Sequence, residues 1–231
     1  HDNGVYISSG KRGIVSSINV FRASGDGIKV RGAEHVISAC ATKDCLVGIA
    51  VSGNGLTLDA QGTNGFGNIV QGCTISDSRA DGIGVAAQDG FLSRDMTIVG
   101  NIIENNLGTG GFAGMRLGIK RGLNLFGNIV RGFVGDFGIL VAGTPTDIMT
   151  DVALNGNVVK AGAEGVRLLY VEDSSVVGNQ FAELTGQAIQ GRFVNNCLIS
   201  ANHGSNGVPF GIRLNSGFVC TGNRVLNNYL L

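Results

Sequence analysis

The 231-residue sequence has no tryptophan, only two prolines, and few aromatics (three tyrosines, eleven phenylalanines). Charged residues make up only 15%, and 17 lysines and arginines balance 17 aspartates and glutamates. A chain without excess positive charge lacks the electrostatic footprint of a nucleic-acid binder. No apolar run approaches the ~18 residues of a membrane-spanning helix, so no membrane partner is expected. The first residues show no basic segment followed by an apolar stretch, the pattern of a secretion signal. Cysteines are few and odd in number: Cys40, Cys45, Cys73, Cys197 and Cys220. They cannot all pair. Cys73, Cys197 and Cys220 sit in apolar runs, where cysteine acts as a small buried hydrophobe. Cys40 and Cys45 are near enough in sequence for a local bridge. No CxxC pair occurs, and His1, His35 and His203 lie far from the cysteines, so no structural zinc site is expected.

What the chain does have is glycine, 39 residues of it, without the three-residue period of collagen. Isoleucine, valine and leucine are spread along the whole length, which argues against disorder. A repeat organises them. One unit reads Gly, apolar, any residue, apolar: Gly4-Val5-Tyr6-Ile7, Gly27-Ile28-Lys29-Val30, Gly48-Ile49-Ala50-Val51 and Gly82-Ile83-Gly84-Val85. It continues through Gly114-Met115-Arg116-Leu117, Gly138-Ile139-Leu140-Val141 and Gly165-Val166-Arg167-Leu168 to Gly211-Ile212-Arg213-Leu214, with a variant at Ala188-Ile189-Gln190. Successive steps are 23, 21, 34, 32, 24, 27, 23 and 23 residues. An interleaved unit carries Gly-Asn between apolar alternations, as in Met96 to Ile103 and Leu123 to Val130, with an earlier copy at Gly67-Asn68. Asn157, Asn179, Asn202 and Asn223 follow at steps of 22, 23 and 21.

Alternation over three to five positions is strand periodicity, and no segment carries a helical stripe of ten residues. One such repeat cannot bury its apolar side, whereas a stack of them builds a continuous core. The period of about 22 residues with Gly, Asn, Asp and Ser turns describes a coil of a parallel β-helix. The sequence therefore predicts an all-β, single-stranded parallel β-helix of about nine coils, with residues 1–231 as one domain. Gly-Asn suits a tight bend, and buried asparagine amides are expected to stack from coil to coil. Strict hexapeptides, a leucine-rich consensus and repeated Gly-Gly-x-Gly-x-Asp are all missing, which excludes the left-handed β-helix, the leucine-rich repeat and the calcium roll.

The alternating units resemble the right-handed parallel β-helix repeat of the pectate-lyase-like superfamily, over Gly4 to about Val225. That group includes pectin-degrading enzymes, alginate-modifying enzymes and phage tailspike depolymerases. The resemblance implies a carbohydrate-active protein, a lyase, hydrolase or epimerase on an acidic or bacterial surface polysaccharide. The alternative is a non-catalytic rod, such as a stalk, adhesin or glycan-binding module. The paired aspartates with Gly-His-Gly of polygalacturonase-type hydrolases and the Asp-Pro-His-Glu of alginate epimerases are absent. Neither end shows a capping helix, so the chain is expected to be a piece of a longer polypeptide or to have its ends covered by partners, as in a homotrimer of tailspike type. That reading places it outside the cell or on a virion.

In the Gly-apolar-x-apolar strand, x faces solvent. The outward row reads Tyr6, Lys29, Ala50, Gly84, Arg116, Leu140, Arg167, Gln190 and Arg213. Four of nine are basic, which predicts a line of cations. Just before the same strands stand Asn3, Asp26, Asp81, Glu164 and Gln187, with Asp136 one place earlier. Carboxylates beside cations are what sugar cleavage requires, as acid, base or stabiliser of developing charge. Candidate catalytic residues are Asp81, Arg116, Asp26 and Lys29; candidate substrate-binding residues are Arg167, Arg213, Tyr6, Arg94 and Asp136. The two longest steps carry extra residues at 59–68 and 86–95, followed by 104–113. These predict loops around a groove over the third to fifth coils, flanked by Asp77, Arg79, Asp89 and Asp95 as well. No cofactor is expected, although Asp77, Asp81 and Asp95 together would suit calcium.

Overall fold

The computed structural model describes residues 2–8, 10–52, 65–86, 93–108, 112–206, 208–214 and 220–230. Among these there is no helix, and so none long and apolar enough to cross a membrane. The chain winds as a solenoid whose strands pair in parallel with the turns before and after. The first face stacks nine strands, from Val5–Ile7 and Ile28–Arg31 through Gln187–Asn195 to Phe210–Leu214. We number the rungs one to nine by these strands. The third face is a nine-stranded sheet running from Asn19–Phe21 to Tyr229–Leu230. The second face runs from Ile14–Ser16 to Arg224–Leu226 and merges with the first into one sheet of 19 strands, because Glu164–Glu172 and Gln187–Asn195 bend round the corner between them.

The repeat explains the packing. Both apolar positions of each Gly-apolar-x-apolar unit point inward, and Ile28, Val30, Ile49, Val51, Ile83, Val85, Met115 and Leu117 are all buried in one continuous core. The glycine is a packing demand: a Cβ at Gly82 would stand 2.6 Å from the Gly114 carbonyl oxygen and 2.5 Å from Ile103 Cγ2. Larger residues there would push the first and third faces apart.

Gly-Asn builds the corner between the second and third faces. Asn101 Nδ2 donates to Asn128 Oδ1 at 3.0 Å, and the chain continues through Asn157, Asn179 and Asn202 to Asn228. Each Nδ2 also donates to a carbonyl, as Asn128 does to Ile98 O at 3.0 Å. The preceding Gly100, Gly127, Gly156 and Gly178 have φ of +62°, +63°, +62° and +66°, a bend glycine adopts without strain. Two of the asparagines in the sequence series belong elsewhere. Asn68 accepts from His35 N–H, and Asn223 accepts from Cys197 N–H, both at the corner between the first and second faces. Left-handed glycine followed by a buried amide serves either corner, so Asn228, not Asn223, extends the ladder.

The cysteines occupy three corners as free thiols. Strand Ala41–Lys43 separates Cys40 from Cys45, so the local bridge does not form. Cys40 instead stacks against Cys73, whose following residue donates to the Cys40 carbonyl. Burial pushes the Cys73 and Cys197 thiols up to about 11.

Candidate functional site

The outward row lies in register, residue against residue: Tyr6, Lys29, Ala50, Gly84, Arg116, Leu140, Arg167, Gln190, Arg213. A second column stands three positions before it. The glycines of the repeat donate across rungs to Asp26, Val47, Asp81 and Ala113, which fixes that column, and Ala113, Phe137 and Glu164 continue it.

The two columns pair. Lys29 Nζ lies 3.0 Å from Asp26 Oδ2, and Arg167 Nη2 lies 3.2 Å from Glu164 Oε2, each within one rung. Gln190 Nε2 donates to Gln187 Oε1 at 3.3 Å in the same way. Rung four has an acid but only Gly84 in the row, and rung five has Arg116 but only Ala113 beside it. The two gaps match, and Arg116 Nε reaches back to Asp81 Oδ2 at 3.0 Å. The expected line of cations is thus a line of ion pairs. In both same-rung pairs the acid stands just before the repeat glycine and the cation two residues after it.

Asp26 and Asp81 are 8% and 7% exposed, so both are far more than turn residues at the surface. Burial raises the Asp81 carboxyl above the usual carboxylate range, against the pull of the Ala113 N–H, which donates to Oδ1 at 2.8 Å, and of Arg116. Both acids line a cavity of about 420 Å³. Two rungs separate them, which is about 10 Å along the axis. Between them the row offers only Ala50 and Gly84. Leu46, Val47, Ala80 and Phe112 supply the apolar side of the cavity, and Asn3, Asp26, Lys29 and Asp81 the polar side.

Beyond the cavity an apolar ridge crosses the face. Ala113, Phe137 and Leu140 form a small cluster outside the main core, and the Arg167 guanidinium lies 4.0 Å from the Phe137 ring centroid. Glu164 follows. Burial raises its carboxyl, Arg167 and Arg192 oppose the shift, and Asp136 adds to it. Desolvation lowers Arg167. Asp136 therefore belongs with Glu164, not with Asp81.

The remaining sequence candidates are spread out. Tyr6 is exposed on the first rung, with Arg31 5.9 Å from its ring, and Arg213 is exposed on the last. Arg94 sits at the corner toward the second face, in register with Arg121, paired with Asp95 Oδ2 at 2.5 Å and 5.0 Å from the Phe66 ring. It does not line the cavity. Asp77 bonds with Lys43 at the end of a third-face strand, so Asp77, Asp81 and Asp95 do not converge on a calcium site. Among the described residues no cluster of three His, Cys, Asp or Glu would hold a metal. His35 is buried, with Nδ1 accepting from Gly13 N–H at 3.0 Å. Asp89 and most of the extra segments fall outside the described residues. Sequence reasoning missed Phe112 and the acid-cation pairing; the spacing of three was the available signal for the latter.

No curated protein sequence matches the chain. Among solved structures, it resembles the Streptococcus pneumoniae surface protein and adhesin PfbA at 11% identity and a TM-score of 0.53, covering 96% of this chain and 64% of that one. It also resembles the A-module of a mannuronan C-5 epimerase from Azotobacter vinelandii at 12% identity and a TM-score of 0.56, covering 96% and 78%. At such identities the likeness is one of fold. The family model described as right handed beta helix region matches residues 1–150. With its stacked parallel rungs, inward apolar pairs and asparagine corner, the chain belongs to the right-handed β-helix family.

Proposed function

We propose that the protein acts on a bacterial surface polysaccharide laid along the first face, with proton transfer at Asp81. The observation that carries this reading is the recess holding two buried carboxylates in unlike surroundings. Asp26 is paired with Lys29 on its own rung, whereas Asp81 is raised by burial and partly offset by Arg116. A buried carboxyl raised in this way suits the acid role in glycoside hydrolysis. Carboxyl groups roughly 6.5–9.5 Å apart leave room for an attacking water, and the two-rung spacing of about 10 Å stands just beyond the upper end of that range. Asp81 protonates the leaving oxygen, Asp26 draws a proton from water, and Arg116 and Lys29 hold the carboxylates in place. Tyr6, Arg167, Asp136 and Arg213 extend the contact surface along the rod. The similarity to a module named for action on mannuronan supports a polysaccharide as substrate class, and an extracellular or virion-borne setting goes with it.

One observation favours a second reading, the non-catalytic glycan-binding rod: both acids are already ion-paired. A panel of bacterial capsules, pectin and alginate separates the two. New reducing ends report hydrolysis, and ultraviolet absorbance of unsaturated ends reports elimination. Asp81→Asn is expected to lower the rate about 10²–10⁴-fold. Retained glycan binding with no cleavage of any substrate would establish the rod instead.

A further inference from the structure

The recess is divided by chemistry. Its charged side comes from Asp26, Lys29 and Asp81, and its apolar side from Leu46, Val47 and Ala80, ending at Phe112. Phe112 is 36% exposed, unusual company for two buried carboxylates. Its seat is prepared by glycines. A Cβ at Gly135 would collide with the Phe112 carbonyl oxygen, and one at Gly108 would stand 2.8 Å from Phe112 Cβ. The Arg116 guanidinium, fixed by Asp81, lies 5.7 Å from the ring centroid, so the same ion pair that holds the acid also holds the aromatic side chain.

An aromatic ring sharing a cavity with carboxylates matches a ring that is apolar on one face and rimmed with hydroxyls. Asp26 is paired with Lys29 and Asp81 with Arg116, so the recess has no net charge to draw a sugar carboxylate into it. We infer that Phe112 is the specificity-determining platform of this site, and that the residue it stacks against is a neutral hexopyranose. This rests on the glycan reading of the recess but not on cleavage there.

The absence of tryptophan from the chain provides the test. Phe112→Trp places a single indole at the platform, and its fluorescence reports only on that wall. Neutral malto-, cello-, galacto- and manno-oligosaccharides are titrated against oligogalacturonate and oligo-alginate at equal concentrations. At least one neutral series is expected to shift the emission saturably, with the acidic series at least tenfold weaker. Phe112→Tyr should keep the affinity measured by calorimetry, and Phe112→Ala should weaken it about tenfold with an unchanged melting curve. No response to any neutral series, or an equal response to the acidic ones, overturns the proposal. A response that persists in an Asp81→Asn background of an inactive protein supports the platform while removing catalysis, so the two readings fail separately.

Discussion

Two columns of this rod are built on the same spacing and behave in opposite ways. At the corner between the second and third faces the same side chain recurs on rung after rung, from Asn101 to Asn228. On the outer surface of the first face the residue changes at almost every rung, from Lys29 to Ala50 to Gly84 to Arg116. The first column is identical because each amide must satisfy the one before it, with no water to substitute. The second varies because none of its residues needs an identical neighbour, as buried Leu140 and Gln190 beside part-exposed Arg116 and Arg167 show. Repetition therefore records stacking, and departures from it record where the surface has been shaped.

The largest effect that sharpens this contrast is on rate: Asp81→Asn removes about 10²–10⁴-fold of activity while the melting temperature at neutral pH holds or rises, since a partly desolvated charge is removed. In the other column the pattern reverses. Asn128→Ala strips the partners of Asn101 N–H and of the Ile98 carbonyl and should cost about 3 kcal/mol by denaturant unfolding, at 1–3 kcal/mol for each buried group left unsatisfied. Asn228→Ala, at the half-exposed end, should cost under about 1 kcal/mol.

A gain is expected from lengthening the ladder. Cys73 occupies the next position below Asn101 and donates its N–H to Asn101 Oδ1 at 2.9 Å. Gly72, with φ +58°, already makes the bend that precedes each ladder asparagine. Cys73→Asn should add one link and raise the melting temperature by about 2 °C. A fall of similar size would mean that the thiol is there for volume.

The smallest effect is in pH. Burial raises Asp81 and Glu164, so both hold a proton more readily folded than unfolded. A raised folded value gives stability that is complete below the unfolded value of about 4 and lost as pH climbs through the folded ones. The melting temperature of Asp81→Asn/Glu164→Gln minus that of the parent should therefore grow as pH rises from about 4 to 7. A flat difference would show that the neighbouring arginines cancel the burial.

The sequence made the solenoid legible because its inward positions repeat with strand periodicity, and the outward row falls in register as read. It was silent on which corner a Gly-Asn occupies, since local backbone geometry at Asn68 and at Asn101 is the same. The ion pairs were written there in the spacing of three, as Asp26 with Lys29 and Glu164 with Arg167. Reading the row one column at a time turned them into bare cations. Arg94 was misplaced because the length of an insertion says nothing about the side of the rod from which it leaves. Phe112 carried no signal, as its position depends on the missing Cβ atoms of Gly108 and Gly135.

The asparagine chain also points one way. Every side-chain amide gives one N–H to the Oδ1 of the following asparagine and the other to a backbone carbonyl one rung back. Aligned dipoles of this kind polarise their neighbours, so the rod has an electrical heading as well as a chemical one.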